Sequence, residues 1–149
     1  MPLLDLHHVA IKSKDLKATE KFYTKVLGMK KVARPDFAFP GLWFSMGETM
    51  FHIYGGNAAK TYAGNYKYNQ AASPVDHIAL RAKGFDKMKD VLKKHRCKWR
   101  QFDIPDFKLW QLFVLDPSGV IIELNYDATK EPRSSKGPGT RNLFSAGTE

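Results

Sequence analysis

The sequence predicts an α+β fold built from two βαβββ modules, and three observations predict it. A short apolar motif that begins with histidine occurs twice, at residues 8–12 (HVAIK) and 77–81 (HIALR). Each copy is followed by a segment with helical spacing of apolar residues, and then by three segments with strand character. The last two strands of each half are joined by a turn that contains glycine. Such a repeat predicts two similar units.

The first module covers about residues 4–56. In order, its predicted elements are a strand at residues 6–12, a helix at 15–27, and strands at about 30–34, 42–46 and 49–54. Asp15 is suited to the first turn of the helix, and Gly28 is suited to end it. Residues 57–74 show no hydrophobic period and are predicted to form a long linker loop, which often covers a binding site.

The second module covers about residues 75–126 and repeats this order. Its predicted elements are a strand at residues 75–83, a helix at 85–95, and strands at about 98–102, 109–115 and 120–126. The C-terminal tail, residues 127–149, is rich in Gly, Ser, Pro and charge and is expected to be extended or partly disordered. The length of 149 residues predicts that both modules form one domain, residues 1–149.

Strand alternation predicts which side chains share a face of the sheet. His8 and His77 lie on the face opposite the apolar residues that cover the helix, and His52 and Glu123 lie on the same face of the final strands. If the halves pack edge to edge, this face lines one cavity. Four residues of metal-binding type at repeat-equivalent, inward positions indicate a metal site. His7 falls on the other face and is interpreted as structural.

Composition narrows the class of protein. The net charge is +9, but the Lys and Arg residues are scattered along the chain, so we expect no nucleic-acid partner. The charge would instead attract an anionic substrate. No apolar run reaches the roughly 18 residues of a transmembrane helix, and residues 1–6 do not resemble a signal peptide, so a cytoplasmic protein without membrane contact is expected. The single cysteine, Cys97, excludes an intrachain disulfide.

Several motifs together resemble the vicinal-oxygen-chelate superfamily over about residues 4–125. They are LHHVAI at residues 6–11, DL at 15–16, FY at 22–23, VLGM at 26–29, DHIAL at 76–80 and FVLDPSGVIIEL at 113–124. The superfamily includes glyoxalase I, methylmalonyl-CoA epimerase, fosfomycin-resistance thiol transferases, extradiol dioxygenases and bleomycin-binding proteins. The motifs are specific for the superfamily and not for one activity.

The resemblance implies paired βαβββ modules that form a curved mixed β-sheet cup with the helices outside. It also implies a homodimer and a divalent metal in the cup. The ligands of the superfamily correspond to His8, His77 and Glu123, with His52 where glyoxalase-like members place a fourth ligand. This set suits Zn, Ni, Fe, Mn or Co, and the sequence does not select among them.

The alternatives within the superfamily depend on departures from its patterns. Glyoxalase I relatives place a carboxylate or an amide where this chain has His52, so the catalytic bases would be Glu123 and His52. Extradiol dioxygenases use a tyrosine where this chain has Phe113. Fosfomycin transferases resemble this chain around Arg100, but they have a threonine where it has Ala10. A catalytically inactive protein that sequesters a ligand is the fourth alternative.

The expected function is that of a metal-dependent lyase or isomerase resembling glyoxalase I (lactoylglutathione lyase). Its substrate would be a small oxygen-chelating carbonyl compound or thiol adduct, anionic or linked to glutathione. Five residues are expected to contact this substrate: Lys12, Trp43, Tyr54, Arg81 and Arg100. The cations would bind its negative charge, Tyr54 would donate a hydrogen bond, and Trp43 would form an apolar wall together with Phe37 and Phe39.

Overall fold

The computed structural model describes residues 4–56, 75 and 77–139, together with the backbone of residues 145–146. The predicted linker loop, residues 57–74, lies outside the described residues. The chain divides into two compact units, Met1–Ala71 and Ala72–Glu149, which correspond to the two predicted modules.

The first module has the βαβββ order that the sequence predicts. Its elements are β1 (His8–Lys12), α1 (Leu16–Lys21), a π-helical turn (Phe22–Val26), β2 (Lys30–Val32), β3 (Gly41–Met46) and β4 (Thr49–Tyr54). The strands lie in the order β1-β4-β3-β2, with β1 parallel to β4 and the other pairs antiparallel. Asp15 begins the helix as predicted, because its Oδ1 accepts a hydrogen bond of 2.9 Å from the Ala18 amide.

The core of the first module lies between the helix and one face of the sheet. Tyr23 from the π-helical turn is fully buried against Phe44 of β3 and Phe51 of β4, with ring centroids 5.4 and 5.7 Å apart. Ile53 is also fully buried on this face. Because side chains alternate along a strand, the intervening residue His52 points to the other face.

The second module repeats the order and adds a short strand. Its elements are β5 (His77–Ala82), α2 (Phe85–Lys94), β6 (Lys98–Ile104), a 3₁₀ turn (Pro105–Phe107), β7 (Leu109–Leu115), β8 (Ile121–Asp127) and β9 (Ser145–Ala146). The strand order is β5-β8-β7-β6-β9, and β5 is parallel to β8. Phe85 of α2 is buried against Trp110 and Tyr126, with ring centroids 5.3 and 5.2 Å apart.

The first part of the C-terminal tail differs from the expected extended or partly disordered segment. Both carboxylate oxygens of Glu131 accept hydrogen bonds of 2.9 Å, from the amides of Gly84 and Phe85. Helix α2 begins at a glycine that has no side chain to accept these bonds, so Glu131 caps it from 46 residues further along the chain. The Lys136 amide then donates to Asp86 at 2.9 Å. Composition alone does not reveal such a contact.

The two modules confirm the predicted α+β fold and its βαβββ repeat. Both modules place an equivalent helix over one face of a mixed sheet and leave the face with the predicted ligands uncovered by that helix. Within the described residues, no helix has the length and apolar character needed to cross a bilayer.

Candidate functional site

His52 is the centre of an aromatic stack in the first module. Its ring lies parallel to that of Trp43, its partner across the β3–β4 ladder, with centroids 4.1 Å apart. On its other side lies the ring of His8, 4.2 Å away and tilted by 18°. Stacking covers both faces of the imidazole but leaves its edge, where the nitrogens are, available to a ligand.

The environment of His52 favours its neutral form. The side chain is buried, and desolvation is the main cause that lowers the pKa of His52 below its usual value. The neighbouring charges of His8, His7 and Arg34 lower it further. A neutral imidazole is the form that binds a metal or accepts a proton.

His7 differs from its interpretation as a residue of the opposite face. It lies just before β1, and its carbonyl accepts a hydrogen bond of 3.2 Å from the Met50 amide at the start of the β1–β4 ladder. Its Nδ1 is 2.8 Å from Nδ1 of His8, and the two rings meet edge to face. His7 therefore orients His8 from outside the strand.

In the second module, the predicted ligands form a hydrogen-bonded pair. Nε2 of His77 lies 2.8 Å from Oε2 of Glu123. The Glu123 side chain is only 9% exposed, whereas that of His77 is 37% exposed. A buried carboxylate needs hydrogen-bond partners to stay charged, and His77 provides one of them.

Gln111 provides the second partner, and the sequence analysis did not identify it. Its Nε2 donates to Oε1 of Glu123 at 2.7 Å and to Oδ1 of Asn125 at 3.0 Å. Gln111 is itself buried, so its amide is fixed between these two acceptors. The available signal was a single amide in the otherwise apolar strand at residues 109–115 (LWQLFVL), on the same face as Glu123 and Asn125.

The His8–His52 pair of the first module and the His77–Glu123 pair of the second module occupy equivalent backbone positions. His8 lies opposite Met50, two residues before His52 along the parallel β1–β4 ladder. The β5–β8 ladder places His77 opposite Ile121, two residues before Glu123, in the same way. The predicted repeat therefore extends to the ligand positions. Within neither module do the described residues include three His, Cys, Asp or Glu side chains grouped as a metal would require.

The pair in the second module fits a metal by both chemistry and spacing. An imidazole nitrogen and a carboxylate oxygen are common ligands of Zn²⁺ and of the other divalent transition metals. Ligand atoms about 2.1 Å from a metal lie about 3.0 Å apart at octahedral angles and about 3.4 Å apart at tetrahedral angles. The 2.8 Å between Nε2 of His77 and Oε2 of Glu123 is close to the octahedral spacing. The amide of Gln111 on the outer oxygen is the kind of support that orients a ligating carboxylate.

The predicted substrate contacts have different surroundings. The Trp43 ring stacks on His52, and the Tyr54 ring meets Phe39 edge to face at 5.3 Å. Arg100 lies 5.0 Å from the centre of the Phe113 ring, on the sheet face of Glu123. Arg81 is exposed and lines a cleft of the second module.

The remaining predicted substrate contacts are Lys12 and the aromatic wall. Lys12 is half-buried at the end of β1, beside Tyr54 in the ladder. Phe37 and Phe39 stack at 5.7 Å, and Phe37 lies 6.2 Å from Trp43. The three rings therefore form one aromatic cluster in the first module, and 43% of the surface of Phe37 is exposed.

The βαβββ repeat and the equivalent positions of the predicted ligands agree with a match to a family model. Residues 5–124 match the model of the Glyoxalase/Bleomycin resistance protein/Dioxygenase superfamily. The chain belongs to this superfamily. No curated protein matches the sequence.

Solved structures share the fold at low sequence identity. A glyoxylase/bleomycin resistance protein/dioxygenase domain from Frankia sp. EAN1pec is 16% identical, with a TM-score of 0.69 over 89% of this chain and 96% of that one. Lactoylglutathione lyase from Agrobacterium tumefaciens is 18% identical, with a TM-score of 0.63 over 87% and 98%. The fosfomycin resistance protein FosX from Mesorhizobium loti is 16% identical, with a TM-score of 0.59 over 85% and 92%. These likenesses show the fold alone.

Proposed function

We propose that this protein is a divalent-metal-dependent lyase or isomerase that resembles glyoxalase I. The observation that carries the proposal is the His77–Glu123 pair. Nε2 of His77 lies 2.8 Å from Oε2 of Glu123, and the amide of Gln111 donates to Oε1. A metal ligand benefits from a hydrogen-bond donor that fixes its orientation, and the buried amide of Gln111 is such a donor. The proposed substrate is a small oxygen-chelating carbonyl compound or its thiol adduct.

The proposed ligands are His8, His77 and Glu123, and His52 is either a fourth ligand or a base. His8 and His52 belong to the first module, and His77 and Glu123 belong to the second. The donor set suits Zn, Ni, Fe, Mn or Co. The bound metal would supply Lewis-acid stabilisation of negative charge on the substrate oxygens.

The roles of the protein groups follow from their contacts. Both oxygens of Glu123 have a partner, Gln111 at Oε1 and His77 at Oε2, so Glu123 would act as ligand or base through Oε2 once His77 turns its Nε2 to the metal. His52 presents only the edge of its ring, because Trp43 and His8 cover both faces. The stack therefore holds the nitrogens of His52 in one direction, as a ligand or base requires.

The second candidate function is ligand sequestration without catalysis. The observation in its favour is the aromatic cluster of the first module, in which Phe37, Phe39 and Trp43 form a partly exposed wall suited to a planar ligand. A sequestering protein would use this wall without a metal. Metal content therefore separates the two candidates.

The first test is elemental analysis of purified protein and of two histidine variants. We expect divalent metal in the wild type, most of it lost in His77→Ala, and none of it lost in His95→Ala. The control removes a histidine at the end of α2, outside the proposed site. Circular dichroism checks that both variants are folded. Equal metal content in all three proteins would refute the ligand assignment.

The second test measures the reaction. Metal-free protein reloaded separately with Ni, Zn and Co is assayed for glutathione-dependent consumption of methylglyoxal, and we expect turnover with at least one metal. No turnover with any of the three would remove the glyoxalase assignment. Oxygen uptake with catechols would instead indicate a dioxygenase. We expect none, because Phe113, 6.0 Å from the His77 ring, has no hydroxyl to donate.

A further inference from the structure

A cleft of about 780 Å³ opens in the second module, beside the ends of β5 and β8. This volume lies in the range of small-molecule sites. Four cations and two carboxylates line it: Arg81, Lys83, Lys108, Lys130, Asp127 and Glu131. The cleft therefore has an excess of positive charge.

The two carboxylates already have partners. Glu131 accepts the two amide bonds that begin α2. Asp127 accepts hydrogen bonds from the amide and the hydroxyl of Thr129, at 3.0 and 2.6 Å, and lies 3.3 Å from Nζ of Lys130. The hydrogen bonds from Thr129 are the main cause that lowers the pKa of Asp127. The carboxylates thus serve the local fold and pair with only one of the four cations.

The other three cations are Arg81, Lys83 and Lys108. In the part of the chain that the structure describes, none of them lies within ion-pair distance of a carboxylate. All three are exposed at the cleft and keep full charge available for a ligand. Arginine can bind an oxyanion through two parallel hydrogen bonds, and the lysines add point charges.

The backbone at Lys108 supports a functional interpretation. Its φ of +49° is uncommon for a residue other than glycine. The conformation is held because the Lys108 amide donates to the Pro105 carbonyl and the Lys108 carbonyl accepts from the Ala128 amide, each at 2.9 Å. Residues held in such conformations concentrate at ligand sites.

The cleft is linked to Glu123 through Asn125 and Gln111. Asn125 lines the cleft, and its Oδ1 accepts from the same Gln111 amide group that donates to Glu123. Residues 123, 125 and 127 point to one face of β8, and each step of two residues spans about 7 Å. A ligand held in the cleft therefore reaches Glu123 if its two ends are on the order of 7–10 Å apart.

We propose that this cleft binds the anionic group of the substrate, a carboxylate or a phosphate, while the chelating oxygens lie at Glu123. The proposal rests on the proposed function and specifies its substrate class. The substrate carries a negatively charged oxyanion about 7–10 Å from its reacting atoms. Arg81 is the principal contact of that group, with Lys108 and Lys83 beside it.

The test is an NMR titration of the full chain, labelled with ¹⁵N and freed of metal with EDTA. Inorganic phosphate and succinate are added separately while sodium chloride keeps the ionic strength constant. We expect saturable shifts of backbone amides around Arg81 and Lys108. Arg81→Gln should raise the dissociation constant about tenfold, as expected for a lost charge-assisted bond. Lys94→Gln removes an exposed charge of α2 outside the cleft and should leave the constant unchanged.

The two probes distinguish the source of the anion. Saturation by phosphate alone indicates a phosphorylated substrate, and saturation by succinate alone indicates a carboxylate. Shifts that do not saturate, or that are equal in the wild type and Arg81→Gln, would overturn the proposal. His77→Ala should lose metal and keep its anion affinity, whereas Arg81→Gln should do the reverse. Failure of the metal assignment is thus measured separately from failure of the cleft.

Discussion

The two modules place their proposed ligands at equivalent positions and support them by different physical means. In the first module, His52 lies between two rings, Trp43 and His8. In the second, hydrogen bonds from Gln111 and His77 hold Glu123. Stacking directs the edge of a neutral ring, whereas hydrogen bonds stabilise a buried charge. The same backbone therefore supports a neutral donor in one half and a charged donor in the other.

Gly41 explains why the first module cannot hold a carboxylate at position 52 in the way that the second module holds Glu123. Gly41 of β3 is the repeat equivalent of Gln111, since they pair with Tyr54 and Asn125 respectively. A Cβ at Gly41 would overlap the carbonyl oxygen of Ile53 and lie against the Arg34 guanidinium. The first module has no room for an amide that could hold a carboxylate at position 52. A histidine, which needs no such donor when neutral, suits that position.

The largest effect should follow from neutralising Glu123. Glu123→Gln keeps the shape of the side chain but removes the charge that a metal would balance, so we expect most of the bound metal to be lost. Asp103→Asn makes the same chemical change at an exposed position of β6 and should retain the metal. Competition with a chelator measures both affinities. Equal affinities would show that Glu123 is not a ligand.

A smaller effect is expected when the support of Glu123 is removed. Gln111→Leu leaves one oxygen of a buried carboxylate without its donor, which costs about 1–3 kcal/mol of unfolding free energy. Loss of an outer hydrogen bond to a ligand lowers metal affinity by roughly 10–100-fold. Urea unfolding of metal-free protein and chelator competition measure the two quantities separately. A loss of stability with unchanged metal affinity would mean that Gln111 is structural only.

The matched control for Gln111 is Gln101→Leu on β6. Gln101 is half-buried, and in the described part of the chain it does not contact Glu123 or His77. This variant should change metal affinity less than Gln111→Leu does. If both lower the affinity equally, the effect comes from the sheet as a whole and not from the hydrogen bond.

Much of this site could be predicted from strand alternation, and its limits are physical. Alternation with a period of two correctly places His52 and Glu123 on the face away from the helix. It does not predict the contact between His7 and His8, since the two rings meet although the His7 carbonyl still accepts from the Met50 amide at the start of the β1–β4 ladder. It also cannot identify Gln111 as a partner, since a single amide in an apolar strand has no period.

Contacts distant in sequence were the least predictable part of the fold. Glu131 lies in a segment without hydrophobic period, and its role depends on the uncapped start of α2 at Gly84. The cleft at Arg81 likewise combines the ends of β5 and β8 with the turn before β7. Composition does not encode which of several similar carboxylates and cations meet. The strand positions and sheet faces of the proposed ligands were therefore predictable, whereas the groups that contact them were not.

The smallest effect should follow from removing the aromatic partner in each module. Trp43 and Phe113 are repeat equivalents, since they pair with His52 and Glu123 across their ladders. Trp43→Leu removes a parallel stack and should cost about 0.5–1.5 kcal/mol of unfolding free energy beyond the lost burial. Phe113→Leu removes edge contacts to His77 at 6.0 Å and to Phe102 at 5.4 Å, together with the Arg100 guanidinium 5.0 Å from its ring, so we expect a similar cost in stability.

Metal affinity should distinguish the two aromatic variants. Without Trp43, the His52 ring can rotate, so its donor is less well directed; without Phe113, Glu123 still has its hydrogen bonds. We expect Trp43→Leu to weaken metal binding by a few-fold, about 1 kcal/mol or less, and Phe113→Leu to leave it unchanged. Chelator competition on both variants measures this difference. A larger loss in Phe113→Leu would mean that the second module also depends on ring packing, and the contrast between stacking and hydrogen bonding would not hold.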